Sequence, residues 1–222
     1  MDVTPFPERP LRADAERNRQ RLLASARELF ATKGLSVGLD EIARHAGVGV
    51  ATAYRRFPDK AQLVDTLYAD HVEHLVELAR EGLGADDPWA ALAAFMERTV
   101  EANASNRAVK ELMFDSAGDE RLALVGRARD QLMPVAAQLL AAAQASGDVR
   151  SDVAVTDLPL IQFMVSGLSE LGGPNAAALR RRQLALVLDG LRTPGPAPLP
   201  APPLTPREFV EAVTAGPHAG LG

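Results

Sequence analysis

Residues Gly34 to Lys60 read GLSVGLDEIARHAGVGVATAYRRFPDK, and their spacing predicts two short helices joined by a tight turn. Leu39, Ile42 and Ala43 recur at helical spacing, while Asp40 and Glu41 put negative charge in the first turn, where free backbone N–H groups favour it. Gly47 suits the left-handed conformation that ends such a helix, and Val48 follows as the apolar plug of the corner. A second helix is expected from about Gly49 to Phe57, stopped by Pro58. Asp59, Lys60, Ala61 and Gln62 then form an Asp-x-x-Gln cap for a third.

The second helix offers small residues in its first turn, then hydroxyl, phenol and two adjacent guanidinium groups. That inventory suits a DNA groove: small side chains allow close approach to base edges, Arg can be bidentate to guanine, and hydroxyls can donate to phosphate oxygens. Candidate DNA-binding residues are Gly49, Val50, Ala51, Thr52, Tyr54, Arg55 and Arg56, with Lys60 at the start of the next helix, where a phosphate is also attracted. Taken alone, Arg55 and Arg56 are equally an ordinary solvated face, and Phe57 reads as core. Their position behind a Gly-Val turn favours DNA.

The same residues resemble the DNA-binding domain of the TetR family of bacterial transcriptional regulators. The family pattern of F-x-x-x-G, then I-A-x-x-A-G-V, then T-x-Y-x-x-F-x-x-K is met by Phe30 and Gly34, by Ile42, Ala43, Ala46, Gly47 and Val48, and by Thr52, Tyr54, Phe57 and Lys60. Family members usually cap the two motif helices with Ser or Thr, whereas Gly38 and Gly49 stand here. The resemblance implies an all-helical protein: a three-helix reader at the N-terminus, then a larger helical-bundle regulatory domain that ends in a dimerisation helix pair.

The whole chain agrees with a reader joined to a separate body. Of 222 residues, 47% are hydrophobic and 24% charged, and cysteine is absent, which removes disulfides, thiolate nucleophiles and Cys-ligated metals. No apolar run resembles a signal peptide or a membrane span, so a cytoplasmic protein is expected. The net charge of −5 divides unevenly, about +3 in residues 1–60 and −8 in the remainder. Positive potential is thus concentrated where phosphate would bind.

Taken in order, residues 1–13 contain Pro5, Pro7 and Pro10 and read as a flexible arm, before a helix from about Ala15 to Thr32 stopped by Gly34. The domain division expected is 1–60 for the reader, 61–193 for a ligand-binding and dimerisation body, and 194–222 for a Pro-rich linker with a short tail helix. A long apolar-sided helix begins at Lys60 and runs to about Glu81; its His71, His74 and Glu77 form a conceivable but incomplete metal set, read by default as ordinary surface or pocket polar residues, and no metal or cofactor is assigned. Asp87 and Pro88 start another helix, a shorter one falls around Asn106 to Phe114, and one from Asp119 to Ala145 should kink at Pro134. Phe95, Met96, Met113, Phe114, Met133 and Phe163 are more often packing. They are also what lines an apolar pocket between helices, and they are the candidate effector residues.

The segment 157–171 is apolar nearly all round, and Asn175 can cap a last helix to about 192 with Leu184, Val187, Leu188 and Leu191 in a stripe. This pair is expected to join two subunits, and a charge at Leu188 to separate them. Seven of the thirteen residues from Pro194 to Pro206 are proline, after which Thr205, Pro206 and Glu208 make a capping box for a helix carrying Phe209 and Val210. That helix reads either as a transient element of a disordered tail or as one that docks in a groove.

No P-loop, G-x-S-x-G elbow or H-E-x-x-H is present, so an enzyme is not expected. The expectation is a homodimeric regulator, a repressor on a palindromic duplex operator, controlled by a small mostly apolar ligand. A reading from another class is a helical protein that sequesters a hydrophobic molecule or a partner, its helix-turn-helix vestigial.

Overall fold

In the computed structural model, residues 8–106, 108, 109, 111, 119–168, 175–193 and 197–214 are described below. Among them are ten α-helices and no strand, only an isolated bridge between Val149 and Arg192. The chain forms two compact units, Met1–Leu67 and Tyr68–Gly222, and the division falls inside one long helix.

In the first unit, α1 (Glu8–Lys33), α2 (Leu39–Ala46) and α3 (Val50–Arg56) pack on one another, with a 3-10 turn at Gly34–Ser36 after α1. The α1 helix starts earlier than the proline-rich arm suggested, because Pro10 lies in its first turn, where the missing N–H costs no intrahelical bond. Leu22, Leu23, Ala26 and Phe30 of α1 close with Ile42, Ala43, Ala53 and Phe57 into a core exposed by 4% or less at each. At these sizes each large apolar side chain contributes roughly 1.5–3 kcal/mol by leaving water, which is what holds so small a unit together.

The helix α4 (Lys60–Glu81) spans the boundary between the units, and the Gln62 N–H donates to Asp59 Oδ1 at 2.8 Å, as its cap pattern requires. The second unit continues with α5 (Pro88–Ser105), α6 (Asp119–Gln131), α7 (Met133–Ala145), α8 (Asp157–Gly167), α9 (Ala176–Leu191) and α10 (Pro206–Thr214). Asp87 caps α5 through a 2.9 Å bond from Ala90 N–H, with Pro88 at its start. The segment expected to kink at Pro134 is two helices: the break is at Leu132, and Pro134 sits in the first turn of α7, where proline is tolerated. Asn175 precedes α9 without a side-chain cap bond. Around α5, the helices α7, α8 and α9 pack their apolar stripes, with Leu92, Met96, Leu139 and Leu158 all nearly inaccessible to water.

Leu188 corrects one expectation. It is 4% exposed, buried within its own chain as Leu184 and Leu191 are, so it cannot face a partner. The large apolar side chains that α8 and α9 leave open are Met164 at 59% and Leu186 at 56%. The proline-rich segment also behaves differently from a free linker. Arg150 donates from Nη2 to the Ala197 carbonyl at 2.5 Å, Leu199 N–H to Asp152 Oδ2 at 3.1 Å, and Thr156 Oγ1 to the Leu204 carbonyl at 2.8 Å. It therefore lies as a strap along residues 150–156. The capping box forms as its sequence requires, Thr205 and Glu208 bonding reciprocally, and α10 packs against α6.

Candidate nucleic-acid interface and effector cavity

The corner between α2 and α3 is built by Gly47. Its φ of 61° is left-handed, and its N–H reaches the carbonyls of Ala43 and Arg44, satisfying groups the helix end would otherwise leave unpaired. The Val48 N–H also bonds the Ala43 carbonyl, and the side chain is buried, as the plug reading required. Gly38 and Gly49 cap their helices in ordinary extended geometry without a side-chain bond, and a Cβ at Gly38 would meet nothing within 4 Å.

These constraints leave α3 with one buried residue, Ala53, and an open face. Gly49, Val50, Ala51, Tyr54, Arg55 and Arg56 are exposed and Thr52 half-buried, so the proposed readers share a short accessible helix, while Phe57 belongs to the core. Local bonds hold three of them in place. Arg55 Nη2 donates to Thr52 Oγ1 at 3.0 Å, and the Tyr54 hydroxyl is bonded to the Asp40 carboxylate, which also raises the phenol above its usual pKa. The Lys60 ammonium donates to the Leu35 carbonyl and retains two further N–H groups. Each of these donors can exchange a protein acceptor for a phosphate oxygen.

In the second unit a cavity of about 90 Å³ lies among α4, α5, α6, α7, α8 and α10. Its walls are largely aliphatic and aromatic, among them Val72, Leu75, Val125, Leu132, Met133, Leu158, Phe163 and Phe209. Of the six effector candidates, Met133 and Phe163 line it. Phe95 and Met96 do not: at 2% and 0% exposure they are packing in the adjoining core. Met113 and Phe114 lie outside the described residues.

Of the polar residues on the wall, the sequence marks His71 as a surface or pocket residue and does not single out Asn103, Gln162 or Arg129. His71 Nε2 bonds Asn103 Oδ1 at 2.9 Å; burial, the dominant influence, and nearby His74 depress its pKa, against the opposing bond from Asn103. A neutral imidazole donating to the amide leaves Nδ1 as an acceptor and the Asn103 NH₂ as a donor. Gln162 Nε2 donates to Met96 Sδ at 3.4 Å, so its amide oxygen adds an acceptor, and Arg129 also borders the space. One signal for this set was legible: Asn103 continues the stripe Leu92, Phe95, Met96, Thr99, a polar residue where the helix period demands core. His71 and His74, considered as metal ligands, diverge, since His74 is exposed. Among the described residues no group of three metal-ligating side chains occurs, and no helix is long and apolar enough to cross a membrane.

Comparison with known proteins adds two family matches. Residues 22–67 match the description "Bacterial regulatory proteins, tetR family", and residues 87–193 match "Transcriptional regulator SbtR-like, C-terminal domain". The chain is similar to the HTH-type transcriptional regulator SrpR of Pseudomonas putida, 27% identical over 161 residues that cover 70% of this chain and 75% of that protein. A TetR transcription regulatory protein of known structure from Mycobacterium vanbaalenii is 37% identical, with a TM-score of 0.59 over 83% of this chain and all of the other. A TetR transcriptional regulator from Streptomyces coelicolor is 32% identical, with a TM-score of 0.54 over 78% of this chain and 98% of the other.

Proposed function

Since the chain belongs to the TetR family of bacterial transcriptional regulators, with a DNA-binding and a ligand-binding domain, we propose that it is a homodimeric repressor released from a palindromic operator by a small, uncharged, mostly apolar molecule. The observation that carries this reading is the pairing of an exposed α3 face with an apolar cavity whose lining includes His71, Val72 and Leu75 of α4, the helix that also places Lys60 at the reader. In this reading Val50, Ala51, Thr52, Arg55 and Arg56 meet base edges or the adjoining backbone, and Tyr54 and Lys60 anchor phosphates. Two readers related by a twofold axis then engage half-sites about 34–36 Å apart or a multiple of it. Met164 and Leu186 supply the apolar surface through which α8 and α9 pair with a second copy.

The ligand class follows from the walls. A charged group would lose its hydration against aliphatic side chains, and the guanidinium of Arg129 at the border is already engaged by Asp130 at 2.8 Å, whereas one hydroxyl, carbonyl or ether is matched by His71, Asn103 and Gln162. The test is selection of duplex DNA from a random pool by the full chain, followed by titration of the selected site at several salt concentrations. A twofold-symmetric site with nanomolar affinity and a steep salt dependence is expected. Failure to retain any duplex at physiological salt would instead support a helical binding protein.

A further inference from the structure

The cavity as it stands is too small for the effector it is proposed to take. At about 90 Å³ it falls below the roughly 150 Å³ that admits benzene, and far below the roughly 300–1,000 Å³ of sites for drug-sized ligands. Something in its wall must give way. Most of the wall belongs to α4 through α8, whose side chains also build the core of the unit. Among the described lining residues, Phe209 is the exception. It comes from α10, beyond residue 193 where the match to the C-terminal family domain ends, yet it is only 5% exposed. The other side chains of α10, from Pro206 to Thr214, are all at least partly accessible, so Phe209 is the residue by which this nine-residue helix is seated.

We propose, building on the effector reading, that the C-terminal strap is an internal competitor for the effector cavity: residues 197–205 tether α10 so that the Phe209 ring plugs the site, and the effector binds by replacing that ring. Three hydrogen bonds fix the tether, Arg150 and Thr156 donating to strap carbonyls and Asp152 accepting from the Leu199 N–H, and the Thr205–Glu208 box starts α10 where Phe209 can reach inward. A nine-residue helix is marginal in water by itself, so α10 owes its order to this seat and can leave without unfolding the body. Vacating the ring adds space on the order of the benzene-sized 150 Å³, bringing the site into the range of a flat molecule of two or three rings. The competitor is an uncharged aromatic hydrocarbon, and that sets the chemistry of the ligand that replaces it: flat, apolar and neutral, with any polar group directed to His71, Asn103 or Gln162.

The test uses N-phenyl-1-naphthylamine, an uncharged three-ring fluorophore that brightens in apolar sites, on the full chain. Phe209→Ala should bind it about tenfold or more tightly than the parent, because the probe no longer displaces a buried aromatic ring. Thr156→Val, which loosens the tether and leaves the ring in place, should tighten binding by a smaller factor. It also keeps the test valid if Phe209→Ala unfolds. A spin label at Ala212→Cys, the chain's sole cysteine, should gain mobility when the probe binds. Equal or weaker binding by Phe209→Ala and Thr156→Val, or probe binding with the label unmoved, would overturn the plug while leaving the cavity as the effector site. Absence of probe binding in the parent and both variants would overturn the effector reading itself.

Discussion

Leu186 and Leu188 sit two positions apart on α9, yet a charge at each should fail in different ways. Leu186 is 56% exposed and Leu188 4%. Burying a whole leucine is worth roughly 1.5–3 kcal/mol, so covering the open part of Leu186 supplies about 1–1.5 kcal/mol per subunit. A twofold interface uses the residue twice, giving about 2–3 kcal/mol, equivalent to a 30- to 150-fold weaker dimer for Leu186→Ala. Leu186→Glu should go further, since two carboxylates would have to be desolvated at one interface. The monomer fold should change by no more than about 0.5 kcal/mol, as expected of an exposed position. Leu188→Glu instead places an unpaired charge in the subunit core and should unfold the second unit before any question of assembly arises. Sedimentation equilibrium over a range of concentrations, with circular dichroism melts of the same samples, separates the two outcomes. If Leu186→Glu and Met164→Glu both leave the dimer constant at the parent value, the pairing of subunits through α8 and α9 is wrong.

Other perturbations probe the reader and the strap. Lys60→Ala should weaken binding to every duplex and lower the salt slope by about one, while Arg56→Ala relaxes specificity at one base pair; unchanged binding of both to a selected palindrome would remove α3 and the start of α4 from the interface. Gly47→Ala forces a side chain into φ 61° at a cost of about 1–2 kcal/mol, and its Cβ would meet only the flexible end of Arg21 at 2.8 Å. The melting temperature of the first unit should fall by about 4–8 °C per kcal/mol, with Gly47→Asn milder, and a calorimetric melt checks both. Asp152 is held at a pKa of about 2, chiefly by Arg150 and then by the Leu199 N–H, below the ordinary 3.8. Because its folded value is depressed, its contribution to strap docking is complete above pH 4 and lost as pH falls from there towards 2. Asp152→Asn should therefore loosen the strap at pH 7, and a spin label at Ala212→Cys no more mobile at pH 7 than in the parent would contradict this.

What could be read in advance was whatever depends on local spacing. The left-handed Gly47, the Asp59 and Asp87 caps and the Thr205–Glu208 box each need only neighbours within four residues and are present in the structure, although the Asn175 cap, equally local, is not formed. The membership of the cavity was not legible in that way. Phe95, Met96, Met133 and Phe163 have the same composition signature, but the direction in which each faces depends on where α5, α7 and α8 cross, and that is a tertiary property. Leu188 and Leu186 show the same limit: apolar surplus on a helix is visible, but which side meets its own core is decided by the neighbouring helices. The strap was the largest departure, because proline density announces the absence of helix and says nothing about side chains elsewhere that will bond its carbonyls.

A strap that competes for the site and a helix that carries the response act on different parts of the regulation. An effector changes operator affinity only by the difference between its affinities for the two reader arrangements, and a tenfold change requires about 1.4 kcal/mol of difference. Displacing Phe209 opposes effector binding to the same extent in both arrangements, as long as α10 sits on α6 alike in each. Its contribution then cancels from that difference and survives in the absolute affinity. On the proposed reading, the strap would thereby set the effector concentration at which the operator is released. The size of the change is left to contacts that do differ between arrangements, and His71, Val72 and Leu75 are placed to make them, because they line the cavity from the helix that begins at Lys60. If both proposals hold, threshold and amplitude are set in separate segments, the first in residues 197–214 and the second in α4.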